Sequence, residues 1–238
     1  MSLYFPPDLG PDREQFILDQ VKSGNYSIEW AEITSTHGGH VAKFSVFADA
    51  LKIEGIRIGM SAKTEQLVAD ELGCMLLTPK LADLIWQQRI VTLPPFPRQF
   101  TASTQAMFEH SAQIDSFLAK LGDPNGLRST VGKHWVIDNS LATISNRAMN
   151  YGWHFVGSNF QGTAFETSAS DPNTRLIQGR GTRHDMNHSD YSQTCVLVCS
   201  TCCVDDQTMQ LTDLLKDPDL APLASCQGTM NVFRQPGA

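Results

Sequence analysis

The sequence predicts an α+β fold in which a C-terminal antiparallel or mixed β-sheet carries a helical subdomain packed on it. Three observations predict it. Apolar residues recur at helical spacing between residues 61 and 121. A hairpin pattern flanks His37-Gly38-Gly39. From Val131 onward, β-branched and aromatic residues dominate the apolar runs. The 238 residues, 41% hydrophobic and 18% charged, suffice for one large core or two small ones. One domain over 1–238 is expected: an arm at 1–11, a hairpin and helical part at 12–121, and a β-rich part at 130–238.

The elements follow in order. Pro6-Pro7 keeps the arm extended. Pro11 to Lys22 fits a short helix with Phe16, Ile17 and Val21 on one side, ended by Ser23-Gly24-Asn25. Residues 28–35 and 40–48 read as the strands of the hairpin, and 51–53 and 56–58 as a second pair turning at Glu54-Gly55. Ser61 is a good N-cap for a helix whose stripe is Leu67, Val68, Leu72 and Cys74, with Gly73 as its C-terminal stop. Thr78-Pro79 restarts a helix lined by Leu81, Leu84, Ile85 and Gln88. This pair reads as an αα-hairpin covering a sheet, since an acidic chain gives little reason for a DNA-reading helix-turn-helix. Residues 92–98 form a stiff Pro-rich connector. A helix is expected from Ser103 to Leu121, ended by Gly122-Asp123-Pro124-Asn125-Gly126. Strands are expected at 134–138, 147–155, 174–178 and 190–204, helices at 207–216 and 219–224, and a last strand at 229–234.

Charge narrows the function. The net charge of −7 gives no basic excess to neutralise phosphates, so neither nucleic acid nor an anionic membrane is an expected partner. The longest apolar runs, such as Cys195 to Cys199, are strand length, and the N-terminus lacks the basic start and apolar core of a secretory signal. A cytoplasmic location is therefore expected, or a virion if the chain is phage-borne. Of the six cysteines, four fall between Cys195 and Cys203. Cys199-Ser-Thr-Cys202 has no second CxxC or His pair at zinc-finger spacing, so these read as reduced strand thiols.

Chemistry-bearing residues concentrate between Tyr151 and Gln193. The densest run is Arg183 to Gln193, which leads into the apolar Cys195–Val198. If 188–193 is extended, His188, Asp190 and Ser192 share one face. Three chemistries fit. A histidine, His184 or His154, acts as general base, Asp190 orients it, and Ser192 or a water is the nucleophile, with Lys133 and Tyr151 stabilising negative charge. Alternatively His154, His184, His188 and Asp190 supply ligands to a zinc-like divalent metal. Cys195 as nucleophile is the weakest, since no cation or helix N-terminus lowers its pKa. The bland alternative is that these groups bond their own backbone in a structural loop.

The chain also resembles a family of uncharacterised bacterial and phage-borne proteins. The resemblance rests on Asn150-Tyr151-Gly152-Trp153-His154, Ile177-Gln178, His184 and Asp190-Tyr191-Ser192-Gln193. Upstream it takes in Leu72-Gly73-Cys74, Thr78-Pro79-Lys80-Leu81, Asp83-Leu84-Ile85-Trp86 and Gly132-Lys133, so it spans roughly residues 40–200. The sequence departs from the pattern at Gly179, where a Pro is expected, at Gln193, where a His is expected, and at Thr194, where a Gly is expected. The resemblance supports the site and implies no reaction. The leading expectation is a hydrolase of amide or ester bonds acting on a small-molecule or peptide-like substrate such as cell-wall material, with either no cofactor or a zinc-like metal. The second is a structural or assembly protein such as a virion or tail component, joined in a homo- or hetero-oligomer. In that reading the arm at 1–11 and the tail at 234–238 order only against neighbouring subunits.

Overall fold

A computed structural model describes residues 4–99, 103–129, 131–156, 166–168 and 170–238; residues 1–3 of the arm and 157–165 of the site stretch lie outside them. Helix α1 spans Pro11–Lys22 and precedes the hairpin β1 (Trp30–His37) and β2 (His40–Phe47). Gly38 and Gly39, both at positive φ, make the two-residue turn. A smaller hairpin, β3 (Lys52–Ile53) and β4 (Ile56–Arg57), turns at Glu54 and Gly55. Helix α2 (Ala62–Glu71) is capped by Ser61, whose side chain accepts from Thr64 N–H. Strand β5 (Cys74–Leu76) follows, then α3 (Pro79–Gln88), whose Thr78 cap accepts from Leu81 N–H. A strand therefore stands between the two helices, where an αα-hairpin with Cys74 on the helical stripe was expected. Helix α4 spans Thr104–Lys120.

The C-terminal half supplies β6 (Lys133–Val136), β7 (Arg147–Phe155), β8 (Glu166–Thr167), β9 (Arg175–Asp185), β10 (Leu197–Val204), β11 (Gln207–Gln210) and α5 (Leu211–Lys216). Three expectations need correction. Residues 190–193 are a turn, so the strand expected at 190–204 begins only at Leu197. Asp205 and Asp206, both at positive φ, turn the chain into β11, which occupies the first part of the helix expected at 207–216. Residues 229–234 form no strand.

The α+β class holds, but the sheet is not confined to the C-terminal half. Strands β6-β7-β9-β8 form one antiparallel sheet. The other runs β1-β2-β10-β11, with β5 also on β10, so the N-terminal hairpin and the C-terminal strands build one layer. A continuous apolar cluster reaches from Phe5 through Phe44, Leu81 and Leu197 to Val232. The outer edge of β1 is blocked at one rung: the Gln88 side chain accepts from Thr34 N–H (2.8 Å) and donates to Thr34 C=O (2.7 Å).

Both ends dock on their own chain. Phe5 is buried against Phe16 and Phe108, and Thr104 N–H donates to the Pro7 carbonyl at 2.8 Å. Gln235 is 1% exposed and joins Gln66 of α2 to the Arg147 carbonyl of β7. The described arm and the tail thus both pack on their own chain. No helix among the described residues is long and apolar enough to cross a membrane.

Candidate functional site

The site residues are carried by the β6-β7-β9 sheet and by the turn at 190–193. In β6 and β7, Lys133 pairs with Gly152 and His134 with Tyr151. Neighbouring positions along a strand face opposite ways, so Lys133 and Tyr151 leave the sheet on opposite faces. Simple alternation would also put Tyr151 and His154 on opposite faces. It fails because Gly152 and Trp153 have φ of 127° and 56°. A positive φ at a residue as large as Trp is a backbone outlier and costs on the order of 1–3 kcal/mol. Its effect is to bring Tyr151 and His154 to the same carboxylate.

That carboxylate is Asp83 of α3. Its Oδ1 accepts from Tyr151 Oη at 2.8 Å and from His154 Nε2 at 2.7 Å. Its Oδ2 accepts from Ser168 Oγ at 2.6 Å, and from both the N–H and the hydroxyl of Ser170. Trp86 stacks on the His154 ring, 5.7 Å between centroids. Burial pushes the Asp83 pKa up, but the hydrogen bonds from His154, Ser168 and Ser170 outweigh it, and the carboxyl sits below its usual range. Asp83 and His154 are each 1% exposed. The cluster ties α3, β7 and the 168–170 segment together.

The second cluster lies on the opposite face. Asp190 caps its own turn: Oδ1 accepts from Ser192 N–H at 2.7 Å and from the Ser192 hydroxyl. Gln193 Oε1 accepts from Asp190 N–H at 2.8 Å. These side-chain bonds replace the ladder that the Tyr and Thr residues of this run suggested. Two glycines let backbone close in on the turn from both sides. A side chain at Gly132 would stand 2.3 Å from the Ser192 carbonyl, and one at Gly59 would stand 2.8 Å from the Asp190 carbonyl. The turn in turn presents Asp190 Oδ2 to Lys133 Nζ at 3.0 Å and to His188 Nε2 at 4.0 Å. Lys133 also lies 5.6 Å from the centre of the Trp153 ring.

His188 stacks on His184, with 4.2 Å between ring centres and 11° between planes. Burial lowers the pKa of both, the neighbouring imidazole and Lys133 lower His184 further, and Lys133 adds to the lowering at His188 against the pull of Asp190. Both rings are therefore neutral at neutral pH. Burial alone would raise the Asp190 pKa, yet Lys133 and Ser192 hold it below its usual range, so the carboxylate is charged. His184 lines a cleft of ≈440 Å³ with Gln178, Arg180, Arg183 and Glu166. A larger cleft of ≈610 Å³ lies between residues 97–99 and the start of α4, but its charged groups are the ion-paired Arg98 and Glu109.

The site residues expected from sequence are thus divided. Lys133, His184, His188, Asp190 and Ser192 converge. His154 and Tyr151 do not join them. His184 pairs with Ala148 and Leu176 with His154, which puts the two imidazoles six residues apart along β7, roughly 20 Å. Tyr151 is 1% exposed and bonded to Asp83, so it faces away from Lys133. Ser192 is also 1% exposed and gives its proton to Asp190, with no imidazole contact, which suits a positioning role and not a nucleophile. Cys195 is fully buried, and burial raises its pKa well above the ordinary thiol value.

The metal candidates His184, His188 and Asp190 do not fit a zinc-like ion. Such an ion sits near the plane of each ring at roughly 2.1 Å, and two nearly parallel stacked rings share no such point. Among the described residues no group of three His, Cys, Asp or Glu side chains is placed to hold a metal.

Sequence reasoning gave no role to Asp83, Ser168, Ser170, Gln178 or the buried His110. An acidic residue beside the Leu81, Leu84 and Ile85 stripe of α3 was the signal for Asp83. Gln193 and Gly179 also have local roles. Gln193 caps the turn. The Glu166 carboxylate lies within 1.8 Å of where a Gly179 side chain would begin. The chain matches no protein-family model, no curated protein and no solved structure.

Proposed function

We propose that the chain is a hydrolase of amide or ester bonds that uses water as its nucleophile, with His184 as general base. One observation carries this reading: a neutral imidazole pair, one ring of which lines a cleft, stands beside a lysine–carboxylate pair. His184 lines the cleft and is free to accept a proton from a water attacking the substrate carbonyl. The proton raises charge on a ring that stacks against His188, and Asp190 beyond it offsets that charge. Lys133 supplies the positive charge that a tetrahedral oxyanion requires. Gln178, Arg180 and Arg183 offer donors for a small-molecule or peptide-like substrate. Kinship with the family that shares the Tyr-Gly-Trp-His and Asp-Tyr-Ser motifs is part of the same proposal.

The test is turnover of a panel of p-nitrophenyl esters and aminoacyl p-nitroanilides by the purified chain. Turnover is expected to fall about 100-fold in His184→Ala, the usual contribution of a positioned base. Its acid limb is expected below the ordinary imidazole value of 6.5, because the folded ring binds protons less tightly. Turnover unchanged in His184→Ala, or absent for the whole panel, would overturn the reading.

A further inference from the structure

A pair of thiols outside this site is placed for covalent chemistry. In the β5–β10 pairing, Cys199 stands directly opposite Cys74. The Ser200 N–H donates to the Gly73 carbonyl at 3.1 Å. That bond joins the residue after Cys199 to the residue before Cys74, which makes Cys199 and Cys74 a non-hydrogen-bonded antiparallel pair. Such pairs have Cα atoms about 4.5 Å apart with side chains leaning together. A disulfide accepts Cα separations of roughly 4.4–6.8 Å, so the backbone already satisfies it. Both thiols are free: Cys74 Sγ rests on the Leu72 carbonyl and Cys199 Sγ on the Thr201 hydroxyl, each replaceable by a rotation about χ1.

The two sulfurs differ in access. Cys199 is partly exposed, whereas Cys74 is buried and its thiol is pushed up to about 12 by burial and by the neighbouring Cys199. Oxidation therefore starts at Cys199.

We propose that Cys74 and Cys199 are a redox site, closed to a disulfide by a hydroperoxide and reopened by a dithiol reductant. The Cys199 thiolate attacks a peroxide oxygen, forming a sulfenic acid and releasing the other oxygen as water or alcohol. The Cys74 sulfur then displaces the sulfenic oxygen as water, so one peroxide accepts two electrons and two protons from the two thiols. The new bond clamps β5 to β10. β5 leads through Thr78 into α3, which carries Asp83, and β10 follows the turn that carries Asp190. The loop it closes contains more than half the chain, so the oxidised form gains from a restricted unfolded state.

The full chain is treated with stoichiometric hydrogen peroxide, and its non-reduced peptides are mapped by mass spectrometry. The expected product links the peptides of Cys74 and Cys199, with two thiols lost from the six. The thermal midpoint is expected to rise by on the order of 10 °C and to return on adding dithiothreitol. Cys202→Ser is expected to leave both results unchanged, and Cys199→Ser to abolish both. A Cys199–Cys202 link, over-oxidation of Cys199 with Cys74 still reduced, or no loss of thiols would each overturn the proposal. Mapping of the unaltered chain decides it even where a variant fails to fold.

Discussion

Two clusters of the same residue types occupy opposite faces of one sheet, and they differ in how their carboxylates are used. Asp83 spends every acceptor position on its own chain and is closed to solvent with His154. Asp190 spends one oxygen on its own turn and offers the other to Lys133 and to His188, whose stacked partner His184 lines a cleft. A saturated buried carboxylate fixes positions. A half-used carboxylate beside neutral imidazoles can respond to a proton that moves. Identity of residue type therefore says little until the partners of each oxygen are known.

Substitutions can break the contrast. Asp83→Ala is expected to be the most damaging, because it removes the acceptor shared by Tyr151, His154, Ser168 and Ser170. A loss of roughly 3–5 kcal/mol in urea unfolding is expected. A loss under about 1 kcal/mol would show that the cluster is not structural. His188→Ala is expected to lower turnover about 10- to 100-fold while leaving the unfolding midpoint nearly unchanged, since the ring is half-buried and stacks on His184 at the edge of the cluster. A large stability loss there, with turnover per folded molecule intact, would make the two clusters alike.

Gly132→Ala tests the support of the turn. Its new methyl would meet the Ser192 carbonyl, displacing Asp190 from Lys133, with an expected cost of about 1–3 kcal/mol and a matching fall in turnover. Intact turnover would mean that the Lys133–Asp190 distance is immaterial.

Acid separates the faces less sharply. Burial lowers His134, behind the Asp83 cluster, to about 3 and His110, under Tyr191, to about 4. The unfolded chain binds these protons near pH 6.5 and the folded chain does not. Stability is therefore present above 6.5 and is lost as pH falls toward 4, by up to roughly 1.4 kcal/mol per pH unit for each ring. His134→Gln and His110→Gln should each flatten the profile of unfolding free energy against pH. A profile flat in the unaltered chain between pH 6.5 and 4 would contradict this.

The smallest effect is expected from Ser192→Ala, about 1 kcal/mol in stability and less than a 10-fold change in turnover, because Ser192 N–H still holds Asp190. Complete loss of turnover would instead make the hydroxyl the nucleophile.

The local features of this fold were legible because they depend on neighbours in sequence. The Ser61 and Thr78 caps, the Gly38-Gly39 turn and the long helix at 103–121 are of this kind. The sheet order was not, since β2 meets β10 and β5 meets β10 across more than a hundred residues. Asp205-Asp206 did carry a turn signal, and reading through it turned β11 into a helix. Of the residues singled out in the sequence, Lys133, His184, His188, Asp190 and Ser192 come together. The misplacement of His154 has two physical sources, the register that sets it six residues along β7 from His184 and a local inversion of the strand. The positive φ at Trp153 inverts the alternation after Tyr151, and the partner that rewards this inversion is Asp83, distant in sequence.

The amide of Gln88 occupies the place of a neighbouring strand at Thr34. Removing it would leave an open rung on a long edge flanked by the exposed Trp30 and Val41, where a second molecule's backbone could pair and start a stack. The last residue of one helix thus guards the β1 edge of the layer against self-association.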